Sequence, residues 1–359
     1  MAAAAGGTIL RERRLSVRGC TVLRVARLPP LPATAQEREA FVNVRVVGAG
    51  TWGTTFAALL RDHSHDVVLA CRDREQAQAI DRDGRNPRYA RSVDLSGIAA
   101  TTIGDSADAE EELVVAALPS RIFGDVVRSL RGTAPLLSLT KGLDPHSGAR
   151  LSTLVEDRPV AVLSGPNMAE EVAAGLPTAA VLASRDEELA LRLQHELSAP
   201  TFRVYVNSDV VGVELCAAAK NVIALAVGGL DGLGLGDNAK AALITRGLAE
   251  MARLGEAAGG RPQTFAGLAG MGDLIVTCWH PSGRNRRAGE LIARGATPEE
   301  AAAEIGQVVE GLTTAPALRE LSQRLGVELP ITEGVCRVLE GGDLADLLSM
   351  LISSRPKEE

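Results

Sequence analysis

Lysine is scarce in this chain: of its 38 basic residues only Lys141, Lys220, Lys240 and Lys357 are lysines. Arginine serves wherever a permanent positive charge suffices, but it cannot give up its proton in a protein, whereas a buried lysine can. Each retained lysine is therefore a candidate for chemistry closed to arginine; for Lys240 and the tail residue Lys357 the plain alternative is chance retention on the surface. Lys220 lies in an apolar, alanine-rich segment, Cys216 to Ala226, six residues after Glu214 and next to Asn221. Burial there disfavours the ammonium and suits a general base near neutral pH; the alternative is a lysine reaching out to solvent. Further on, Gly270-Met271-Gly272-Asp273 sets one acid among glycines, which let backbone crowd a ligand. Gly283-Arg284-Asn285 precedes an expected helix and offers a guanidinium fork, an amide and helix N–H groups, a seat for an oxyanion or phosphate. Arg286-Arg287 reads as a solvated charge pair.

A second constellation stands near the start of the fold. Gly48-x-Gly50-x-x-Gly53 follows a β-branched run, Val42 to Val47, and opens a helix from Thr54 to Arg61. In that context it reads as a dinucleotide turn: Gly48 for the tight turn, Gly50 for close approach of a pyrophosphate, Gly53 for helix–strand packing. Where the second strand ends, an acid often binds the ribose of NAD. This chain has Arg72 there, with Asp73 next. Arg72 either pairs with a 2′-phosphate and admits NADP, or stacks on adenine without selectivity.

These residues must be carried by alternating strands and helices. Strands are expected at Asp66 to Ala70, Leu113 to Leu118, Leu136 to Leu139, Val160 to Leu163 and Ala179 to Leu182, with helices between several of them. That order implies an N-terminal α/β, Rossmann-like, doubly wound domain with a mostly parallel sheet over residues 42–207. From Asp209 the strands stop, and the spacing predicts an all-α domain over 208–350. Its helices are Val210 to Val227, Ala239 to Ala257, Arg286 to Ala293, Pro298 to Ile305 with Thr297 as N-cap, Thr313 to Leu325 and Ile331 to Leu339. Residues 351–359 read as a tail. Residues 1–41, alanine- and arginine-rich with a Leu-Pro-Pro-Leu-Pro run, read as an extension outside the fold: a transit peptide, a disordered arm or residues ahead of the native start.

Composition narrows the partners. A net charge of −7 disfavours wrapping nucleic acid. Five scattered cysteines without a CxxC fit free thiols in a reducing cytosol and no metal site. His63 and His65 beside Asp66 read as a solvated turn. No uncharged apolar run of about 20 residues is present, so no membrane span is expected.

Beyond these separate readings, the chain resembles the bacterial NAD(P)-dependent glycerol-3-phosphate dehydrogenases. The matching segments are GAGTWGT from Gly48, LPS from Leu118, TKG from Thr140, SGPNMAEEV from Ser164, KNVIALAVGGLDGLGLGDNAKAALITRGLAEM from Lys220, GLAGMGDLIVTC from Gly267, GRNRRAG from Gly283 and VVEG from Val308. The resemblance implies a cytoplasmic enzyme that moves a hydride between NAD or NADP and the pair glycerol 3-phosphate and dihydroxyacetone phosphate, for phospholipid synthesis. It implies Lys220 as proton acceptor. It places substrate at Lys141, Gly165, Asn167, Lys220, Asp273, Gly283, Arg284 and Asn285, and cofactor at Gly48, Gly50, Thr51, Trp52, Gly53, Arg72, Lys141, Ala169, Arg284, Val308 and Glu310. It leaves a homodimer open. Two positions depart from the family pattern. Gly283 replaces the usual serine, so Ser282 or the Gly283 N–H has to stand in for the missing hydroxyl, and Asn167 replaces a smaller polar residue. The rival readings are another two-domain hydroxyacid dehydrogenase, marked by preference for a carboxylate substrate, and a non-catalytic dinucleotide sensor, marked by loss of the base.

Overall fold

The computed structural model describes residues 15–17, 20–22, 43–105 and 111–342. Most of the N-terminal extension, Val42 and the segment from 343 lie outside the described residues. Within the first 38 residues, which form a unit of their own, β1 (Leu15–Val17) pairs antiparallel with β2 (Cys20–Val22).

The second unit begins with β3 (Asn43–Val47), α1 (Thr51–Asp62), β4 (Asp66–Cys71), α2 (Arg74–Asp83), β5 (Ala99–Thr102), β6 (Leu113–Ala116), α3 (Ser120–Ser129) and β7 (Leu136–Ser138). It continues with β8 (Val160–Ser164), α4 (Ala169–Ala173), β9 (Thr178–Ser184), α5 (Glu187–Leu197) and β10 (Phe202–Asn207). These strands form one eight-stranded sheet in the order β10-β9-β8-β7-β6-β3-β4-β5. Every neighbouring pair is parallel except β8 with β9. The central strands are apolar on both faces, with Val46, Val47, Val115 and Ala116 all at 0% exposure, as strands covered on both sides must be. Chain order reverses between β3 and β6, and in open parallel sheets the crevice at such a switch point is where ligands bind.

The Rossmann-like reading of this region holds, with two strands added to those expected. β5 was hidden by its composition, Ala-Ala-Thr-Thr, which has no apolar periodicity. β10 is the edge strand next to β9, where Arg203, Tyr205 and Val206 remain exposed.

The helical region comprises α6 (Val210–Gly232), α7 (Gly236–Ala257), α8 (Pro262–Ala266), α9 (Asp273–Trp279), α10 (Arg284–Ala293), α11 (Pro298–Ile305), α12 (Glu310–Leu325) and α13 (Pro330–Leu339). α6 is its axis. It is apolar on all sides, so it must be covered on all sides, and α7, α9, α10, α12 and α13 pack around it. It is long and apolar enough to cross a membrane, but 94% of that stretch is buried within the protein. Its N-terminus is capped by Asp209, whose carboxylate accepts from Gly212 N at 2.8 Å and also holds Arg261 N and the Thr264 hydroxyl. α10 approaches α6 so closely that a Cβ on Gly289 would stand 1.9 Å from the Leu225 carbonyl. α11 starts at the expected cap: Thr297 and Glu300 form a reciprocal capping box.

Several helices begin earlier than the apolar spacing suggests, because polar first-turn residues carry no periodicity. Thus α1 starts at Thr51 and α12 at Glu310, and Arg284 and Asn285 are the first two residues of α10 rather than its approach. α8, a π-turn at Leu268–Gly272 and α9 were not expected; glycines mask them in sequence.

Candidate active site

α6 places Lys220 against the first turn of α9. The lysine is 5% exposed, and its Nζ donates to Asp273 Oδ1 at 2.5 Å and to Thr277 Oγ1 at 2.9 Å. The other carboxylate oxygen, Asp273 Oδ2, faces the sheet. It accepts from Lys141 Nζ at 2.9 Å, Ser164 Oγ at 3.1 Å and Gly165 N at 3.4 Å. Lys141, in the loop after β7, also donates to Asn167 Oδ1 at 3.1 Å and the Gly165 carbonyl at 3.4 Å. Lys141, Gly165, Asn167, Lys220 and Asp273 therefore converge, with two ammonium groups on one buried carboxylate.

Burial pushes the Lys220 ammonium down from the ordinary lysine range to about 7; the Asp273 carboxylate opposes this and the Lys141 charge adds to it. For Asp273, burial alone would raise the carboxyl, but the charges and hydrogen bonds of Lys141 and Lys220 outweigh it and hold the group below the usual carboxylate range. Asn167 Nδ2 is buried with no hydrogen-bond partner, so the amide still has a donor for a bound molecule. Glu214, though on the same helix, plays no part here. It accepts from Arg150 at 2.7 Å and from both the backbone and the hydroxyl of Ser152, tying α6 to the segment after β7.

The α10 N-terminus lies beside this cluster in sequence space and is joined to it through α6. Asn285 Nδ2 donates to Asn221 Oδ1, and Asn285 Oδ1 accepts from Gly311 N, both at 2.9 Å. Its side chain thus locks α10 and α12 onto α6, and what it offers an anion is its first-turn N–H. Arg284 donates to the Val308 carbonyl at 2.9 Å, and burial of its guanidinium lowers its pKa against the opposing charges of Glu310 and Glu170. Neither stand-in for the missing hydroxyl at Gly283 is idle: Gly283 N donates to the His280 carbonyl, and Ser282 bonds His280 Nδ1. A serine side chain at 283 would also meet the Thr277 and His280 carbonyls at 3.0–3.1 Å, so the glycine suits this tight bend.

The other half of the site is the turn after β3. Gly48 has φ +109°, the left-handed region, and no side chain fits there because the Ala117 carbonyl is 2.3 Å from the Cβ position. Above Gly50 the space is open. The first turn of α1 has no side-chain cap and no acid, and Trp52 Nε1 is buried without a partner. A helix N-terminus with free N–H groups, open space and an unused indole donor fits the pyrophosphate of a dinucleotide. Ala169 begins α4, which packs on α1. Thr51 Oγ1 bonds Gln307 Oε1 at 3.3 Å, tying this turn to the helical region, and Glu310 accepts from Ser120 N and Oγ at 3.2 and 2.6 Å, tying the start of α3 to α12. Arg72 follows β4 with its side chain 78% exposed.

Sequence reasoning missed Ser164, Thr277, Gln307 and, as partners, Asn221 and Ser120. Ser164 and Thr277 carried a usable signal, since they immediately precede Gly165 and follow Asp273 by one helical turn. Two expectations, for Arg286 and His65, need correction, and the alternatives left open for Lys240 narrow. Arg286 is not solvated: its side chain is 13% exposed and binds Asp231 at 2.5 Å and the His280 and Pro281 carbonyls. His65 is buried, 4% exposed, because the turn folds back under α5 towards Glu196. Lys240 makes specific contacts, to Asp231 and Asp237 at 2.9 Å each and over the Trp279 ring at 4.9 Å.

Comparison with known proteins gives a consistent result. The family model for the NAD-dependent glycerol-3-phosphate dehydrogenase N-terminus matches residues 43–190, and that for the C-terminus matches residues 209–348. A glycerol-3-phosphate dehydrogenase (NAD(P)+) from Moorella thermoacetica is 47% identical, covering 88% of this chain and 96% of its own. One from Stenotrophomonas maltophilia is 44% identical, covering 83% and 91%. The crystal structure of glycerol-3-phosphate dehydrogenase from Coxiella burnetii superposes with a TM-score of 0.82 at 36% identity, covering 87% of this chain and 99% of that one.

Proposed function

This chain belongs to the NAD-dependent glycerol-3-phosphate dehydrogenase family, and on that premise we propose a division of labour among its residues. The protein is an NAD(P)-dependent oxidoreductase acting on a CH–OH group, interconverting glycerol 3-phosphate and dihydroxyacetone phosphate. A bound nicotinamide dinucleotide supplies the hydride in reduction and takes it in oxidation.

Lys220 accepts the C2 hydroxyl proton in oxidation and returns it in reduction. The observation that carries this role is its burial against Asp273 with Lys141 on the opposite oxygen: a lysine held near neutrality by dehydration and a second cation can run the proton both ways at physiological pH. Asp273 fixes both ammonium groups and keeps the pocket from carrying two uncompensated charges. Lys141 and Asn167 orient the substrate oxygens, Asn167 with its unused amide donor. Arg284 and the first-turn N–H groups of α10 hold the phosphate. The turn from Gly48 to Gly53 holds the pyrophosphate, while Gln307 and Glu310 bring the helical region to it.

A cytoplasmic location belongs to the same reading. It is supported by four unpaired buried thiols among the described residues, with burial pushing Cys71 and Cys278 up to about 12, so that they stay protonated and inert. The expected product role is supply of glycerol 3-phosphate to phospholipid synthesis. The test is loss of nicotinamide absorbance at 340 nm on adding dihydroxyacetone phosphate, run with NADH and NADPH in parallel. Inactivity on the phosphate ester combined with turnover of a 2-oxo acid would sink the substrate assignment.

A further inference from the structure

A second cavity borders the turn that carries Asp273. Its volume is about 330 Å³, within the range of small-molecule pockets, roughly 300–1,000 Å³. Val181, Thr264 and Ala269, all buried, form its inner wall, and Arg261, Gln263 and Gly267, all exposed, form its mouth. None of the residues assigned above to substrate or cofactor lines it.

Two parts of this wall lead to the Asp273 carboxylate. Ala269 lies in the π-turn, Leu268–Gly272, and Asp273 is the next residue of the chain. Single π-turns within helical segments recur at functional sites. Val181 is the register partner of Ser164 across β8 and β9, and Ser164 Oγ and Gly165 N hold Asp273 Oδ2 at 3.1 and 3.4 Å. The turn is clamped on the side of α8. A Cβ on Gly270 would stand 2.1 Å from the Phe265 carbonyl, and the Phe265 ring packs so tightly on Gly255 that a Cβ there would be 1.8 Å from it. Room for the turn to move lies on the cavity side.

The mouth is equipped for an anion. Arg261 N donates to Asp209 Oδ2 at 2.7 Å, but the Arg261 guanidinium and the Gln263 amide make no side-chain hydrogen bond among the described residues. The acid bonded to this loop, Asp209, is itself compensated. It accepts from Gly212 N, Arg261 N and Thr264 Oγ1, and it caps α6, whose dipole favours its charge. The floor is apolar: Val181 and Ala269 belong to one buried cluster with Val210 and Val213, and Leu268 packs on it. One guanidinium over an apolar floor, with a carboxylate nearby, suits a monoanion with a carbon chain better than a dianion.

We propose that this cavity is an effector site for a small aliphatic carboxylate, bound by Arg261 and Gln263 with its chain on Val181 and Leu268. The bound chain fills the room on the free side of the π-turn and keeps Asp273 on both lysines. A ligand favours the conformation that it fits, so this one raises turnover. The proposal rests on the dehydrogenase reading above.

Isothermal titration calorimetry of the full chain uses hexanoate as the probe, with hexanol lacking the charge and acetate lacking the chain. Hexanoate binds at least about tenfold more tightly than either. At saturating hexanoate, kcat for dihydroxyacetone phosphate reduction rises about fivefold, while KM for the nicotinamide cofactor stays within about twofold. Arg261→Ala keeps the backbone bond to Asp209, and Leu268→Phe fills the cavity; both lose the binding and the response. Without hexanoate, turnover of Arg261→Ala stays within about twofold of the wild type. Hexanoate that fails to bind, that binds without raising kcat, or that acts equally on Arg261→Ala overturns the proposal. A wild type that binds hexanoate through Arg261 yet reduces no dihydroxyacetone phosphate overturns the dehydrogenase reading and leaves the binding site standing.

Discussion

Two carboxylates in the helical region each bridge a pair of cations, yet only one pair is equipped for proton transfer. Asp273 lies between Lys220 and Lys141, with side-chain exposures of 6% for Lys220 and 2% for the acid. Asp231 lies between Lys240 and Arg286, with exposures of 17% for Lys240 and 19% for the acid. Each acid bridges two cations, but Lys240 has a second carboxylate, Asp237, where Lys220 has the Thr277 hydroxyl, and the consequence is opposite. Hydrogen bonds that Lys240 donates to Asp231 and Asp237 raise its pKa, whereas burial drives that of Lys220 down. Lys240 also keeps its charge over the Trp279 ring, which favours the cation. The ion pair does not make the base; the removal of water around it does, because dehydration, helped by the Lys141 charge, penalises the charged form more than one carboxylate can repay.

The largest expected effect comes from denying Lys220 its neutral form. Lys220→Arg keeps a cation beside Asp273 but cannot release the proton, and turnover falls by about 10²–10⁴. Cofactor binding without substrate stays nearly unchanged, which shows that the fold survives. Near-normal turnover across pH would reduce Lys220 to a binding residue and erase the contrast with Lys240.

Asp273→Asn acts on the other side of the pair. It leaves Lys220 and the partly buried Lys141 without their shared counterion, a loss of about 3–5 kcal/mol in denaturant unfolding. Because Asp273 holds the Lys220 pKa up, its removal lowers that pKa further. In the wild type the oxidative rate, which needs the free amine, rises with pH through about 7, and the reductive rate, which needs the ammonium, falls through the same point. In Asp273→Asn both midpoints move to lower pH; a midpoint unchanged or raised would contradict the assigned roles. Stability carries the same signature. Between about 7 and 10.5 the unfolded chain holds a proton that folded Lys220 has released, so stability rises with pH across that window.

The smallest effect is expected at the outer pair. Lys240→Arg preserves a cation between Asp231 and Asp237, and turnover should stay within about twofold with stability changed by less than about 1 kcal/mol. A large loss of turnover would mean that the outer pair also serves the reaction.

Much of the site could be read from the residues themselves. The glycine turn announced itself because its spacing is a local requirement: a turn, an approach and a helix start within six residues, Gly48 to Gly53. Lys220 stood out because lysine is rare here and its neighbours are apolar. Asp273 was visible as a single acid among glycines, but its two-sided bond to lysines 53 and 132 residues away was not. Arg286 was misread as solvated and Asn285 as a free amide for the same reason: their partners Asp231, Asn221 and Gly311 are distant in the chain.

Sequence alone determined the element types wherever periodicity was strong, the order of sheet then helices, and the chemical kind of each candidate group, because these follow from local propensity and side-chain chemistry. Tertiary structure alone decided which charges lose their water, which donors remain unpaired and which acid is already engaged. Dehydration and hydrogen-bond satisfaction are properties of a packed volume: Lys220 and Lys240 share a side chain and differ in what the rest of the chain folds around them.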